Sequence, residues 1–289
     1  MRRESHDVGG VTEELRTYGT ARRTGALHGL ARATRPLRGP RALTIGPIVG
    51  FLLLWEVAAR TGLVNDLFFP SPSKIARAGA DLVEDGVLLS ATWATFRRLA
   101  IGFALGAVPA VVVGIVMGYV RPVRTLLRPI ISITYPLPKS ALLPLLILVL
   151  GIGERTRYAI VALGVFFPVL TNSVAGVLSI PAVYTNVGRN FGARGARSFF
   201  TIALPGALPH VFTGLRIGIN TALIVVVTVE MLFSNTGLGY LIWNSWQIFF
   251  VEQMYVSLTM VGLLGYAITV FTDQVEKRAI AWQPRVTSY

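Results

Sequence analysis

The stretch Leu99–Val120 reads LAIGFALGAVPAVVVGIVMGYV and carries no charged residue. Small residues recur along it at every fourth position: Gly102, Gly106, Ala110, Gly114 and Gly118. A helix needs about 20 mostly apolar residues to cross the ~30 Å hydrocarbon core of a bilayer, and this stretch is long enough. Its small residues share one helix face, and such a ridge lets two backbones approach closely in lipid. Five further runs flank it. They are Leu43–Ala59 with one charge, Glu56; Pro129–Ile152 with Lys139; Tyr158–Ile180 with none; His210–Ser234 with Arg216 and Glu230; and Met254–Thr272 with none. One apolar run suits a buried core helix. Six in one chain predict an all-α, polytopic membrane protein of about six transmembrane helices.

Composition agrees. Of 289 residues, 53% are apolar and 14% charged, which excludes intrinsic disorder. The mean hydropathy of +0.61 argues against an ordinary water-soluble enzyme. Cysteine is absent, so there is no disulfide framework and no thiolate-ligated metal or iron–sulfur centre. The net charge of +13 is distributed by topology. Nine Arg lie in residues 1–41, and three basic residues lie in each of Arg121–Arg128, 181–209 and the end after 274. With six spans these segments all fall on one side, which the positive-inside rule makes cytoplasmic, so both termini are expected inside. Residues 1–41 read as an Arg-rich cytoplasmic tail without ordered structure, 42–282 as the transmembrane domain and 283–289 as a second tail. No basic–aromatic interleaving points to nucleic acid; the partner of the charge is anionic lipid.

Between the first two spans, Phe69-Pro70-Ser71-Pro72-Ser73 reads as a turn with Ser71 or Ser73 as N-cap of a short helix. Residues 74–98 suit an interfacial helix from which Arg97 and Arg98 snorkel to the headgroups. The third span holds Pro129, Pro136, Pro138 and Pro144. Interior prolines break helices, and in a membrane broken backbone is tolerated where it is buried in protein or lines a cavity. Pro136, Pro138, Lys139 and Glu230 are therefore pathway candidates. For Lys139 and Glu230 a structural pairing is the alternative, because an intramembrane charge marks either a pathway or a paired site. The ridge residues Gly102, Gly106, Gly114 and Gly118 are candidates for helix packing, and Gly214, Gly218 and Ala222 repeat the device. Residues 181–209 end in Leu204-Pro205-Gly206-Ala207-Leu208-Pro209 and look like a docking element. Asp273 and Glu276 beside Lys277 and Arg278 read as a salt-bridged helix end.

No P-loop, zinc-protease helix or nucleophile elbow occurs, and His6, His28 and His210 are too scattered for a metal site. The chain is expected to be no enzyme, to need no cofactor or metal, and to draw any uphill work from elsewhere.

At 181–209 the sequence resembles the permease subunits of binding-protein-dependent ABC importers. Their cytoplasmic loop carries Glu-Ala-Ala, three residues, Gly, nine residues, Ile, one residue, Leu-Pro. Here Gly192, Ile202, Leu204 and Pro205 keep the spacing, while Asn186, Val187 and Gly188 stand at the Glu-Ala-Ala positions. The resemblance extends over about 43–282 and is nearest to sulfonate, taurine and nitrate permeases. It is carried by Phe69–Ser73, Arg98…Gly102-Phe103, Tyr135–Lys139 with Leu142–Leu145, and Gly151–Glu154. Phe166-Phe167-Pro168, Leu215-Arg216, Glu230 with Gly237–Ile242, and Arg278 with Trp282 complete it. It implies a coupling helix within 186–205 that docks a separate P-loop ATPase, and a solute-binding protein outside. It also implies a second, identical permease forming the pathway, and alternating access in the cytoplasmic (inner) membrane. The implied cargo is a small organic anion such as a sulfonate, taurine or nitrate. Two alternatives remain open from sequence: importers of vitamin or pyrimidine precursors, and an ion-driven secondary transporter. The latter folds often carry matching broken helices in both halves, and the sixth span lacks one.

Overall fold

The computed structural model describes residues 40–281, with side chains from residue 46. Residues 1–39, Trp282 and residues 283–289 lie outside the described residues, and the last two positions expected in the first tail, Pro40 and Arg41, open the first helix. All regular structure described is helical. The chain divides into two units at Leu52/Leu53. The described part of the first unit is the beginning of helix α1, Pro40–Arg60, where the first expected span falls.

The second unit runs through α2 (Pro72–Glu84), α3 (Val87–Tyr119), α4 (Arg121–Thr134), α5 (Leu143–Leu150) and α6 (Glu154–Leu178). It continues through α7 (Ala182–Asn190), α8 (Gly195–Ser198), α9 (Leu204–Phe233), α10 (Leu238–Gln247) and α11 (Val251–Ala279). Among the described residues, α3, α6, the continuous stretch Gly195–Phe233 containing α9, and α11 are long and apolar enough to cross a bilayer. The α4 and α5 segments make a fifth if counted together, but they meet at 91°. The proline-broken span expected over 129–152 is thus two segments separated by a break, and the first of them begins earlier, at Arg121. Pro136 and Pro138 occupy that break, Pro129 sits inside α4, and Pro144 lies in the first turn of α5, where its missing N–H is harmless.

The interfacial helix expected over 74–98 is also corrected. Helix α2 stops before Gly86, which has φ +71° and turns the chain, and α3 starts at Val87. The helix that carries the second span is thus longer than 99–120, and Arg97 and Arg98 lie within it. At the start of α2, Ser71 occupies the N-cap position without a capping side-chain bond. The cap comes from Glu56 instead: its carboxylate accepts the Ser73 N–H at 3.0 Å and the Ser73 hydroxyl at 2.8 Å.

The core is built on α6, which packs between α3 and α9. The glycine ridge of α3 faces it. A methyl group added to Gly102 would lie 2.6 Å from Val161, one on Gly114 2.6 Å from Ser173, and one on Gly118 2.5 Å from Val177. On Gly106 it would run into the Ala162 backbone. From the other side, Gly214 and Gly218 of α9 approach Asn172 and Val169 at 2.7 and 2.8 Å by the same measure. Lipid gives apolar side chains no reason to prefer a neighbouring helix, so close backbone approach and its dispersion contacts hold these helices. At one end of α11, Asp273 and Glu276 meet Arg216 of α9 at 2.7 and 2.5 Å. The expected pairing with Lys277 and Arg278 is replaced by a tie between helices.

Gly106→Ala should lower the apparent unfolding free energy by roughly 1–3 kcal/mol, the range for overpacking a filled core. Gly262→Ala, with nothing near its new methyl group, should be neutral. Heating the detergent-solubilised chain and following its monodisperse fraction checks both.

Candidate functional site

Three constellations carry chemistry. The first lies where α3, α6, α9 and α10 meet. Arg98 is 1% exposed and Glu230 is fully buried. Arg98 Nη1 donates to Glu230 Oε1 at 2.7 Å and to the Thr236 carbonyl at 2.7 Å. Its Nη2 donates to Glu154 Oε1 at 2.7 Å and to Thr236 Oγ1 at 2.8 Å, and its Nε to Glu154 Oε2 at 3.0 Å. All five guanidinium hydrogens are used. Glu230 Oε2 accepts from the Thr95 hydroxyl at 2.8 Å and from the Gly239 N–H at 3.0 Å. Thr95 Oγ1 in turn accepts the Leu238 N–H at 2.8 Å. The side chains Glu230 and Thr95 therefore cap the start of α10. Gly237, at φ +111°, lies against the Glu230 carboxyl, and a methyl group there would collide with it. The Glu230…Gly237-Leu238-Gly239 spacing has this physical basis. Arg157 closes the cluster, donating to Glu154 at 2.7 Å and to the Phe233 carbonyl at 2.8 Å.

This geometry corrects the reading of Arg98 as a snorkelling residue. It also puts Glu230 in a closed ion pair rather than on an open surface. A signal was present: a carboxylate inside a span requires a cation at its own depth, and Arg98 stands at the same end of its span.

The second constellation is the break between α4 and α5. Lys139 Nζ donates to the carbonyls of Thr134, Tyr135 and Leu137 at 2.9, 2.8 and 2.8 Å, and lies 4.3 Å from the centre of the Phe167 ring. These carbonyls lose their helical donors where the prolines interrupt the chain, and the ammonium replaces them. Its charge also rests on the Phe167 face. Lys139 thus holds the kink, with its three N–H groups committed.

The third is the segment from α7 to the start of α9. Helix α7 ends at Gly192, whose φ is +78°; Gly192 N–H donates to the Arg189 carbonyl at 3.0 Å and Ala193 N–H to the Gly188 carbonyl at 2.8 Å. Ending a helix in this left-handed conformation selects glycine. Gly188 and Ile202 meet: a methyl group on Gly188 would collide with the Ile202 Cδ1. The residue spacing between these positions is therefore a contact that folds the segment back on itself. Leu204 and Pro205 open α9, with Pro205 in its first turn. Beside α7 lies a hollow of about 620 Å³ lined by Tyr184, Val187, Ile202 and Pro205 among others. Asn186 and Val187 lie on α7, with Val187, Tyr184, Phe191 and Phe200 exposed; Phe191 is 82% accessible. Residues 181–209 hold Arg189, Arg194 and Arg197 and no acidic residue. Among the described residues no group of His, Asp and Glu is placed to hold a metal ion.

Residues 110–280 match the family described as "Binding-protein-dependent transport system inner membrane component". The chain belongs to this family of ABC-importer permeases, which are multi-pass proteins of the inner membrane. It is 28% identical over 256 residues to the taurine transport system permease protein TauC of Escherichia coli (strain K12), covering 87% of this chain and 93% of that one. It is 29% identical over 242 residues to the nitrate import permease protein NrtB of Synechocystis sp., covering 81% and 87%. The putative aliphatic sulfonates transport permease protein SsuC of Bacillus subtilis (strain 168) is 27% identical over 232 residues, covering 80% and 84%. Its fold is similar to that in inward-facing conformations of the MetNI methionine ABC transporter, with a TM-score of 0.60 at 21% identity over 67% of this chain and 96% of that one. Membership in this family sets aside the ion-driven secondary transporter.

The Arg98 cluster gives a sharp expectation. Removing one partner of a buried ion pair leaves an uncompensated charge, at about 3–5 kcal/mol, whereas an apolar replacement of both is far milder. Arg98→Met should therefore destabilise the chain strongly, and Arg98→Met with Glu230→Met should recover much of the loss. Thermal stability of the three purified proteins in one detergent measures this.

Proposed function

We propose that this permease is one half of a homodimer that moves a small organic anion, of the sulfonate, taurine or nitrate kind, into the cytoplasm by alternating access. Both termini face the cytoplasm, and a P-loop ATPase sits on residues 186–205. A separate binding protein delivers the solute from outside. The observation that carries this reading is the set of exposed aromatic side chains on the α7 segment: Tyr184, Phe191 and Phe200 are uncovered on a fold-back fixed by Gly192 and by the Gly188–Ile202 contact. Large aromatic side chains on such a segment are covered by a protein partner.

Asn186 replaces the glutamate of the family pattern, and the segment carries only positive charge. The cleft that receives it should therefore bear an acidic rim around an apolar floor. ATP-driven approach of two ATPases would draw the two docking segments together. Such motion shifts the pathway's equilibrium because the docked segment contacts the ATPases differently in the two states. The anionic cargo is supported by the relatives named for taurine, sulfonates and nitrate.

Gly192→Val places a β-branched residue at φ +78°. It should abolish co-purification of a P-loop ATPase from native membranes while leaving the amount of inserted permease unchanged. Undiminished recovery of the ATPase with this variant would contradict the docking assignment.

A further inference from the structure

Helix α4 lines a crevice with α6. The crevice has a volume of about 550 Å³, and the polar side of its lining is formed by Arg124, Arg128 and Ser132. These residues follow at four-residue intervals along α4 and so share one helix face. Opposite them, α6 contributes Leu170, Val174 and Leu178 beside Thr171. Arg124 Nη1 donates to the Gly118 carbonyl at the end of α3, at 3.2 Å, which fixes the guanidinium against the crevice wall. Among the described residues neither Arg124 nor Arg128 forms an ion pair, and the two unpaired guanidinium groups sit one turn apart on the same crevice wall. No acidic side chain lines the crevice.

We propose that this crevice is a binding site for an amphiphilic oxyanion: a sulfonate or phosphate head held by Arg124 and Arg128, with an apolar body against the α6 wall. The chemistry follows from the lining. Guanidinium forks bind oxyanions through paired, charge-assisted hydrogen bonds. Two of them without counter-charges along an open crevice attract an anion more strongly than either would alone. The apolar wall selects an anion that carries hydrocarbon over a bare inorganic one. Two sources offer this chemistry, an alkanesulfonate passing through and the headgroup and upper chains of an anionic phospholipid. The site extends the anion transport proposed above and rests on it only for the direction of passage; occupancy of the crevice does not require the ATPase.

The test uses the full chain, with the partners it retains, in nanodiscs of phosphatidylcholine. Hexanesulfonate is titrated in one arm, and phosphatidylglycerol is added to the discs in the other. Bound probe per chain is measured for the wild type and for Arg124→Gln/Arg128→Gln. Saturable binding of either probe is expected, weakened at least tenfold in the double variant, with hexanesulfonate bound more tightly than methanesulfonate. Binding of hexanesulfonate alone identifies a solute site, and binding of phosphatidylglycerol alone a lipid site. Arg128→Gln at its exposed position should weaken binding in the same direction, and it reads the site even if the double variant misfolds. Equal binding of both probes to wild type and variants, or no saturable binding to the wild type, would overturn the proposal. ATPase co-purification should be unchanged in the arginine variants. Its loss in Gly192→Val should leave probe binding intact, so the two readings fail separately.

Discussion

Close backbone contact along α6 is the constraint from which the rest follows. In a bilayer the solvent is as oily as a leucine side chain, so burying apolar surface does little to bring helices together. What remains is dispersion at short range, and that requires small residues where helices cross. The α3 ridge from Gly102 to Gly118 meets α6 on one side, and Gly214 and Gly218 of α9 meet it on the other. Once α3 and α9 are set against α6, their ends fall close enough for Arg98 and Glu230 to bond at 2.7 Å.

That pair shows how a membrane protein keeps charge inside. Each buried hydrogen-bonding group of the cluster has a partner, and the carboxylate serves also as the cap of α10. The result ties four helices at one end of the bundle, while Arg216 with Asp273 and Glu276 ties α9 to α11 elsewhere. Between these fixed points the chain breaks at 135–138, and Lys139 takes up the carbonyls the break releases. The irregular backbone is thus stabilised within the chain itself, which is the condition for keeping it at membrane depth.

Much of this was legible in the sequence because the bilayer imposes length and composition on every spanning helix. The run at Leu99–Val120 and the four-residue glycine spacing announced both a span and its packing face. The family pattern Gly192…Ile202-x-Leu204-Pro205 drew attention to the segment proposed above to dock the ATPase, and its glycine had a backbone reason. What was not legible depended on pairings between distant residues. Arg98 looked like an interfacial cation because its partners Glu154 and Glu230 come from distant helices; the matching depth of Glu230 was the one hint, and nothing pointed to Glu154. Lys139 could be read as lining a pathway until its three carbonyl partners were seen. Glu56 as the cap of α2 was hidden for the same reason, since Ser71 and Ser73 looked locally sufficient. The 91° bend between α4 and α5 was signalled by prolines, but its angle is set by tertiary contacts.

The chain contains no cysteine, so one introduced at Phe191 is its sole thiol. The most direct measurement attaches a photoreactive maleimide to Phe191→Cys in native membranes, irradiates, and identifies the adduct. An adduct with a P-loop ATPase, absent when the same label is placed at Trp246→Cys beyond α9, is the predicted result. An adduct only with lipid or with other permease chains would contradict the assignment of this segment as the surface through which ATP hydrolysis is coupled to transport.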